Sequence, residues 1–456
     1  MAMRIQSHNP TTAEVIETFD SSTDADVDRV VERASDAFRT WRRSSFEERA
    51  AAMRAAGALL RRGATGYART MALEMGKPVV EGVAEAEKCA GTCEFYAENA
   101  ERMLAPEPHE TDAKKSYVRF DPLGVVFAVM PWNYPFWQVF RFAAPTLMAG
   151  NGAVLKHAPN VTRCALEIER IFQEAGFPEG LFGVVHGGAE VASRAIAHPG
   201  VVAVTLTGSE RAGVSVAEQA GRVLKKSVLE LGSNDPFLVL EDADVTKAAG
   251  VAAAARLLNS GQSCIAAKRF IVVDKVADRF VELFVAAMQK RKMGDPLERE
   301  TQIGPQARLD LRENLDRQVK ESVKRGAKVL AGGSIPSGNG AFYPPTVLAA
   351  VAKGMPAFDE ETFGPVAAVM RVKDEAEAVV LANDSKYGLG ASIWTEDRSR
   401  GERIAASLDC GCAFVNGLVK SDPRIPFGGI KRSGFGRELS VYGLHEFVNV
   451  KTVWIG

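Results

Sequence analysis

Apolar residues recur at three- and four-residue intervals from Asp24 to about Glu101, as in TDADVDRVVERASDAFRTWR and AAMRAAGALLRRGATGYARTMALEMG. Acidic and basic residues alternate on the remaining faces. The spacing predicts amphipathic helices with solvated outer sides, and Thr and Asp stand where the first is capped. The pattern changes at KKSYVRFDPLGVVFAVMP, where β-branched and aromatic residues gather and Asp121-Pro122 and Pro131 mark turns. Short apolar runs and helical segments then alternate. GAVLKHAP, LFGVVHG, VVAVTLTG and SVLELG read as strands; TRCALEIERIFQEAG, AEVASRAIAH and SERAGVSVAEQAG read as helices. This rhythm predicts a parallel, doubly wound α/β sheet. After Gly232 a second series begins with FLVL, VTKAAGVAAAARLLN, RFIVV and ADRFVELFVAAMQKRKMG and runs to about Arg437. The tail FVNVKTVWIG predicts a strand with no partner nearby, one that must pair at a distance or on another subunit.

Composition narrows the classes. A chain of 456 residues holds about two or three domains. Its net charge of -1 leaves no basic stripe for nucleic acid and no polybasic cluster for a membrane surface. The N-terminal MAMRIQSHNPTT lacks an apolar core for a signal peptide, and runs such as LGVVFAVM are too short to span a bilayer, so a cytoplasmic location is expected. Six cysteines in a chain of this length do not form a disulfide framework, and with no C-x-x-C and no H-E-x-x-H no metal site is expected.

One cysteine stands apart. Cys264, in LLNSGQSCIAAKRFIVV, sits where a helical segment meets a strand and nearly every neighbour is small. In TLTGSERAG, a strand meets a helix through Gly208-Ser209, with Gly213 in the first turn; such a junction favours a phosphate, although tight packing also explains its glycines. Glu230 ends a buried strand in SVLELGSNDP: a paired structural carboxylate, or a general base raised by desolvation. Asn133 is bracketed by prolines in MPWNYPFW, a turn residue or a fixed amide for an oxyanion. EETFGPV places Glu361 and Phe363 before a rigid Gly-Pro, and PFGGIKRSGFGREL is dense in glycine.

PWNYP, LTGS, ELG, GQSC, ETFGPV and PFGGIKRSGFGREL stand in the order and spacing of the aldehyde dehydrogenase superfamily, and the chain resembles that superfamily over essentially its whole length. Two departures are Ser233, where a second Gly is usual, and Pro159, where many NAD-using members carry Glu. The resemblance implies a Rossmann-like cofactor domain (1–103 and 123–232), a second α/β catalytic domain (233–437) and a β oligomerisation arm (104–122 and 438–456). It implies Cys264 as nucleophile, Asn133 with the Cys264 N–H as oxyanion donors, and Glu230 as the base that activates water. Glu438 matches a second carboxylate that relays protons in some members, or else forms a buried salt bridge. For the cofactor it implies Lys156 at the adenosine ribose, Gly208 and Ser209 at the pyrophosphate, Glu361 and Phe363 at the nicotinamide ribose, with Trp132 and Leu231 along the same path. Pro159 removes an acceptor for the ribose diol and a carboxylate that would repel a 2′-phosphate, which points to NADP, with NAD possible. QSCIAAKRF and VKSDPRIPFGG resemble bacterial succinate-semialdehyde dehydrogenases, implying that Trp137, Arg141 and Ser421 line a pocket for a carboxylate-bearing aldehyde. Partners are then a small-molecule aldehyde and further copies of the chain, as a homodimer or homotetramer. A cofactor-free cysteine hydrolase built on Glu230, Lys156 and Cys264 leaves TGS and EETFGP unexplained. A non-catalytic descendant leaves the joint presence of Cys264, Glu230 and Asn133 unexplained. A CoA-acylating relative would lack Glu230.

Overall fold

The computed structural model describes residues 4–456; residues 1–3, which open the first stretch assigned to the cofactor unit, lie outside the described residues. A short antiparallel hairpin begins the chain, β1 (Arg4–His8) and β2 (Val15–Asp20). Three long helices follow: α1 (Asp24–Trp41), α2 (Phe46–Met75) and α3 (Val79–Met103). Thr23 and Asp26 close a reciprocal capping box on α1, and Ser45 and Glu48 do the same on α2. Each box satisfies amide groups that a helix start leaves without intrahelical partners.

The first sheet is built from β5 (Val125–Met130), α4 (Trp137–Met148), β6 (Gly152–His157), α5 (Thr162–Glu174), β7 (Phe182–Val185), α6 (Ala189–Ala197), β8 (Val201–Thr207), α7 (Glu210–Arg222) and β9 (Lys226–Glu230), after β3 (Glu107–Pro108) and β4 (Lys115–Pro122). Its order is β19-β9-β8-β5-β6-β7, with every neighbour parallel except β19 (Gly434–Phe435). β6 is buried throughout, as strands covered on both faces must be. One face packs on α2 to α5 and the other on α1, α6 and α7. The chain runs outward in one direction from β5 to β7 and in the other from β8 to β9. A crevice therefore opens between the ends of β5 and β8, the switch point where such sheets bind ligands.

The second sheet has the order β12-β13-β14-β11-β10-β16-β17. Its members are β10 (Pro236–Val239), β11 (Arg269–Val273), β12 (Lys328–Ala331), β13 (Thr346–Ala349), β14 (Val366–Val372), β16 (Gly390–Trp394) and β17 (Cys412–Val415). Helices α8 (Val245–Leu257) and α9 (Asp274–Gln289) cover one face; α10 (Leu309–Lys324), α12 (Glu375–Asn383) and α13 (Arg398–Ser407) cover the other.

One feature differs from the sequence expectation. Gly434–Phe435 falls within the 233–437 stretch, yet it pairs with β9 of the first sheet. A Cβ at Gly434 would overlap the Leu229 carbonyl, so only glycine allows that approach. Just before it, β18 (Ile430–Lys431) pairs with β15 (Tyr387–Gly388) on the other side. Ser433 joins the two: its hydroxyl donates to Gly232 O at 2.7 Å and accepts from Gly388 N at 3.0 Å. The tail strand β20 (Val448–Ile455) finds its distant partner in the same chain, pairing with β4 over eight residues in the order β20-β4-β3. Among the described residues no helix is long and apolar enough to cross a membrane.

Candidate active site

A cavity of about 260 Å³ lies where the two sheets meet. One wall is a single face of α3, with Glu81, Ala84, Glu85 and Lys88 at the spacing that brings helix positions into line. Trp137, Gln138 and Arg141 of α4 form the second wall, and Leu418 to Ser421 with Phe427 form the third. Cys264 and its neighbours Ser263 and Ile265 close the end.

The loop that carries Cys264 is tightly determined. α8 ends at Leu257, and Asn259, Ser260 and Gly261 all take left-handed backbone angles (φ 53°, 55° and 77°). A Cβ at Gly261 would collide with the Gly364 backbone, so the cysteine loop rests directly on the FGP of ETFGPV. Asn259 donates through its side chain to Asn133 O at 2.7 Å and Gln262 O at 3.0 Å, and Asn133 Nδ2 donates to the same Gln262 carbonyl at 3.0 Å. Lys268 Nζ donates to the carbonyls of Ser263, Cys264 and Ala266 at 3.2, 2.7 and 3.1 Å. Arg256 holds Gly261 O at 2.7 Å. Asn259, Arg256 and Lys268 were not singled out from sequence. The available signal was polar residues inside an otherwise buried run, with a lysine four positions after the cysteine. Burial pushes the Cys264 thiol up to about 12, against the pull of the Arg141 and Lys268 cations.

Neither Asn133 nor Glu230 forms part of the cavity wall. Glu230 ends β9 at 3% exposure, and among the described residues neither carboxylate oxygen has a hydrogen-bond partner. Burial, with the negative charge of Glu438 nearby, drives its carboxyl well above the usual range. Glu438 itself forms a buried ion pair with Arg141 Nε, the second of the two roles the sequence left open. Arg141 also donates to Thr207 Oγ1 at 3.2 Å and lies 4.9 Å over the Phe427 ring. Ser421 accepts from Lys88 Nζ at 2.8 Å, and Lys88 lies 4.0 Å over the Trp137 ring. Lys88, too, was not singled out from sequence. Glu85 ties the two helical walls together, accepting from the N–H groups of Phe136 and Trp137, both at 2.9 Å.

The proposed cofactor residues lie around the crevice. Lys156, at the end of β6, is buried and forms no ion pair among the described residues; burial lowers its pKa. Exposed Pro159 begins the next turn. Ser209 caps α7, accepting from Ala212 N at 3.3 Å. The Gly208 N–H already donates to Glu230 O at 2.9 Å, so Gly208 offers an anion open space rather than a donor. Gly213 has a packing reason: a Cβ there would lie 2.6 Å from Leu231. Glu361 accepts from Ser233 N at 3.0 Å and lies 3.4 Å from Lys268 Nζ, with its pKa raised by burial. Trp132 and Phe363 meet edge to face at 5.6 Å. A helix start at the end of a central strand, as α7 is after β8, suits a phosphate.

Two largely parallel sheets, a half-buried cysteine at the end of a cavity and a switch-point crevice between β5 and β8 are the layout expected of a cofactor-dependent α/β enzyme. The aldehyde dehydrogenase family model matches residues 2–453, and the chain belongs to that family. It is 49% identical to a probable NADP-dependent succinate-semialdehyde dehydrogenase of Synechocystis sp., over 99% of this chain and 100% of the relative. It is 47% identical to the NAD(P)-dependent succinate semialdehyde dehydrogenase Sad of Escherichia coli, covering 98% and 97% of the two chains. The crystal structure of succinic semialdehyde dehydrogenase from Streptococcus pyogenes in complex with NADP+ superposes with a TM-score of 0.97 at 40% identity, over 99% of each chain.

Proposed function

We propose that the protein oxidises succinic semialdehyde to succinate with NADP+, through a covalent Cys264 adduct. The observation that carries this reading is the shared cavity: Cys264 at one end, Trp137, Arg141 and Ser421 on its walls. The relatives named above act on the same substrate. The Cys264 thiol releases its proton to solvent and the thiolate sulfur adds to the aldehyde carbon, giving a thiohemiacetal whose oxyanion is met by the Cys264 N–H and the Asn133 amide. An amide has two N–H donors, and one of Asn133's is committed to Gln262 O, which fixes the direction of the other. Bound NADP+ supplies the hydride acceptor, held by Lys156, the α7 N-terminus around Gly208 and Ser209, Leu231, Glu361 and Phe363, with Trp132 alongside. Loss of hydride from the adduct leaves a thioester. Glu230 takes a proton from the water that attacks it, succinate departs, and the thiol is restored. No hydrogen bond among the described residues holds the Glu230 carboxylate.

Pro159 puts no carboxylate at its own position, which favours the 2′-phosphate of NADP. We assign 1–103 with 123–232 to the cofactor unit, 233–437 to the catalytic unit apart from the Gly434–Phe435 crossing, and 104–122 with 438–456 to an assembly arm. The exposed Val450, Trp454 and Ile455 of β20 support a homo-oligomer, and six free cysteines suit a cytoplasmic enzyme. The deciding assay follows reduced nicotinamide with succinic semialdehyde or butanal, NADP+ or NAD+, and no CoA. Preference for succinic semialdehyde with NADP+ is expected. An absolute need for CoA, or equal rates with both aldehydes, would refute the assignment.

A further inference from the structure

We propose that Lys88 is a second cation for the distal carboxylate of the substrate and sets the preference for an acid-bearing aldehyde. The inference rests on the proposed function and names a residue that neither sequence motif contained. Arg141 already has a partner within the protein, the Glu438 carboxylate, in surroundings only 2% and 5% exposed. Lys88 is different. Its ammonium faces the cavity from α3, donates to the Ser421 hydroxyl and lies against the Trp137 ring, yet forms no ion pair among the described residues.

The charged groups around it are accounted for. On its own helix, Glu85 is taken by Lys77 and by the N–H groups of Phe136 and Trp137, and Glu81 accepts from Asn259 N at 2.9 Å. Cys89 is a buried thiol. From the facing loop, Asp422 is paired with Arg424 at 2.5 Å, and Lys420 is exposed at the rim. From α4 comes the like charge of Arg141. Burial and that like charge bring the Lys88 pKa down to about 8. A half-buried ammonium without a counter-ion still carries a desolvation cost, and a substrate carboxylate relieves it. An ammonium has three donors, so one N–H can stay on Ser421 while others turn to the ligand. An aldehyde with an alkyl end gains nothing from this group.

The test compares kcat/KM for succinic semialdehyde and butanal as a ratio, in wild type, Lys88→Met and Lys88→Arg. Charge-assisted contacts of this kind set the expected size: the ratio falls about 10–100-fold in Lys88→Met and is largely kept in Lys88→Arg. In the wild type the ratio falls about tenfold between pH 7 and 9.5 as Lys88 loses its proton; ionisations shared by both substrates cancel. That measurement stands even if Lys88→Met does not fold. An unchanged ratio in Lys88→Met, or a wild-type ratio flat with pH, overturns the role of Lys88. A wild type with no preference for succinic semialdehyde overturns the proposed function instead.

Discussion

Replacing Arg141 by Met tests the pocket and the buried pair together, and the two effects can be separated. The substitution keeps most of the side-chain volume but leaves Glu438 stranded at 5% exposure beside Glu230. Removing one partner of a buried ion pair costs about 3–5 kcal/mol. At about 2.1 cal/mol/K per residue, 456 residues carry an unfolding entropy of about 1 kcal/mol/K, so Tm should fall by about 3–5 °C. The stranded carboxyl can escape by taking a proton. The loss should therefore be smaller at pH 6 than at pH 8. Removing both charges, as Arg141→Met with Glu438→Met, should restore most of the Tm. Specificity should not return with it. Losing the contact to the substrate carboxylate costs about 1.5–3 kcal/mol, or roughly 10–100-fold in kcat/KM for succinic semialdehyde relative to butanal. Differential scanning calorimetry and the two-substrate assay give both readouts. If the double variant recovers specificity along with stability, the single variant failed through Glu438 and Arg141 does not bind the substrate. If Arg141→Met changes neither, the buried pair is not present as described.

Glu230→Gln should keep a single burst of NADPH and lose about 10²–10⁴-fold in steady turnover, the usual worth of a general base; near-wild-type turnover in stopped-flow would rule it out. Both reactive groups, the Cys264 thiolate and the Glu230 carboxylate, are disfavoured by burial, so turnover should rise from pH 7 to pH 9. The stability sign is opposite. A carboxyl whose folded pKa is raised contributes stability below its unfolded pKa and loses it as pH climbs through the folded value, so Glu230→Gln should flatten the alkaline decline in Tm. Pro159→Glu should lower kcat/KM for NADP+ and raise it for NAD+; a wild type that favours NAD+, or an unmoved preference, would remove Pro159 from cofactor choice.

The alternation of strands and helices was legible because parallel strands buried on both faces are plain apolar runs, as VVFAVM and RFIVV show. The first N-terminal helix announced itself through its Thr and Asp caps, and the next through the spacing of its apolar residues. Cys264, Arg141 and Ser421 were found because short motifs carried them, and the structure gathers them at one cavity. Lys88 was hidden because its helix is patterned like any surface helix, and only the fold shows that this face meets α4. Lys268, in the loop after the cysteine, and Arg256, in the last turn of α8, escaped notice because a charged side chain reads as exposed until its carbonyl partners are seen.

The Ser433 hydroxyl works as a rivet between two plates. The ribbon from Ile430 to Phe435 is laced to β15 on one side and β9 on the other, with the rivet set between Gly232 and Gly388. Prising the plates apart as rigid bodies would tear one lacing or the other. Opening the two plates about a hinge would therefore cost a two-residue lacing together with a hydrogen bond of that one hydroxyl.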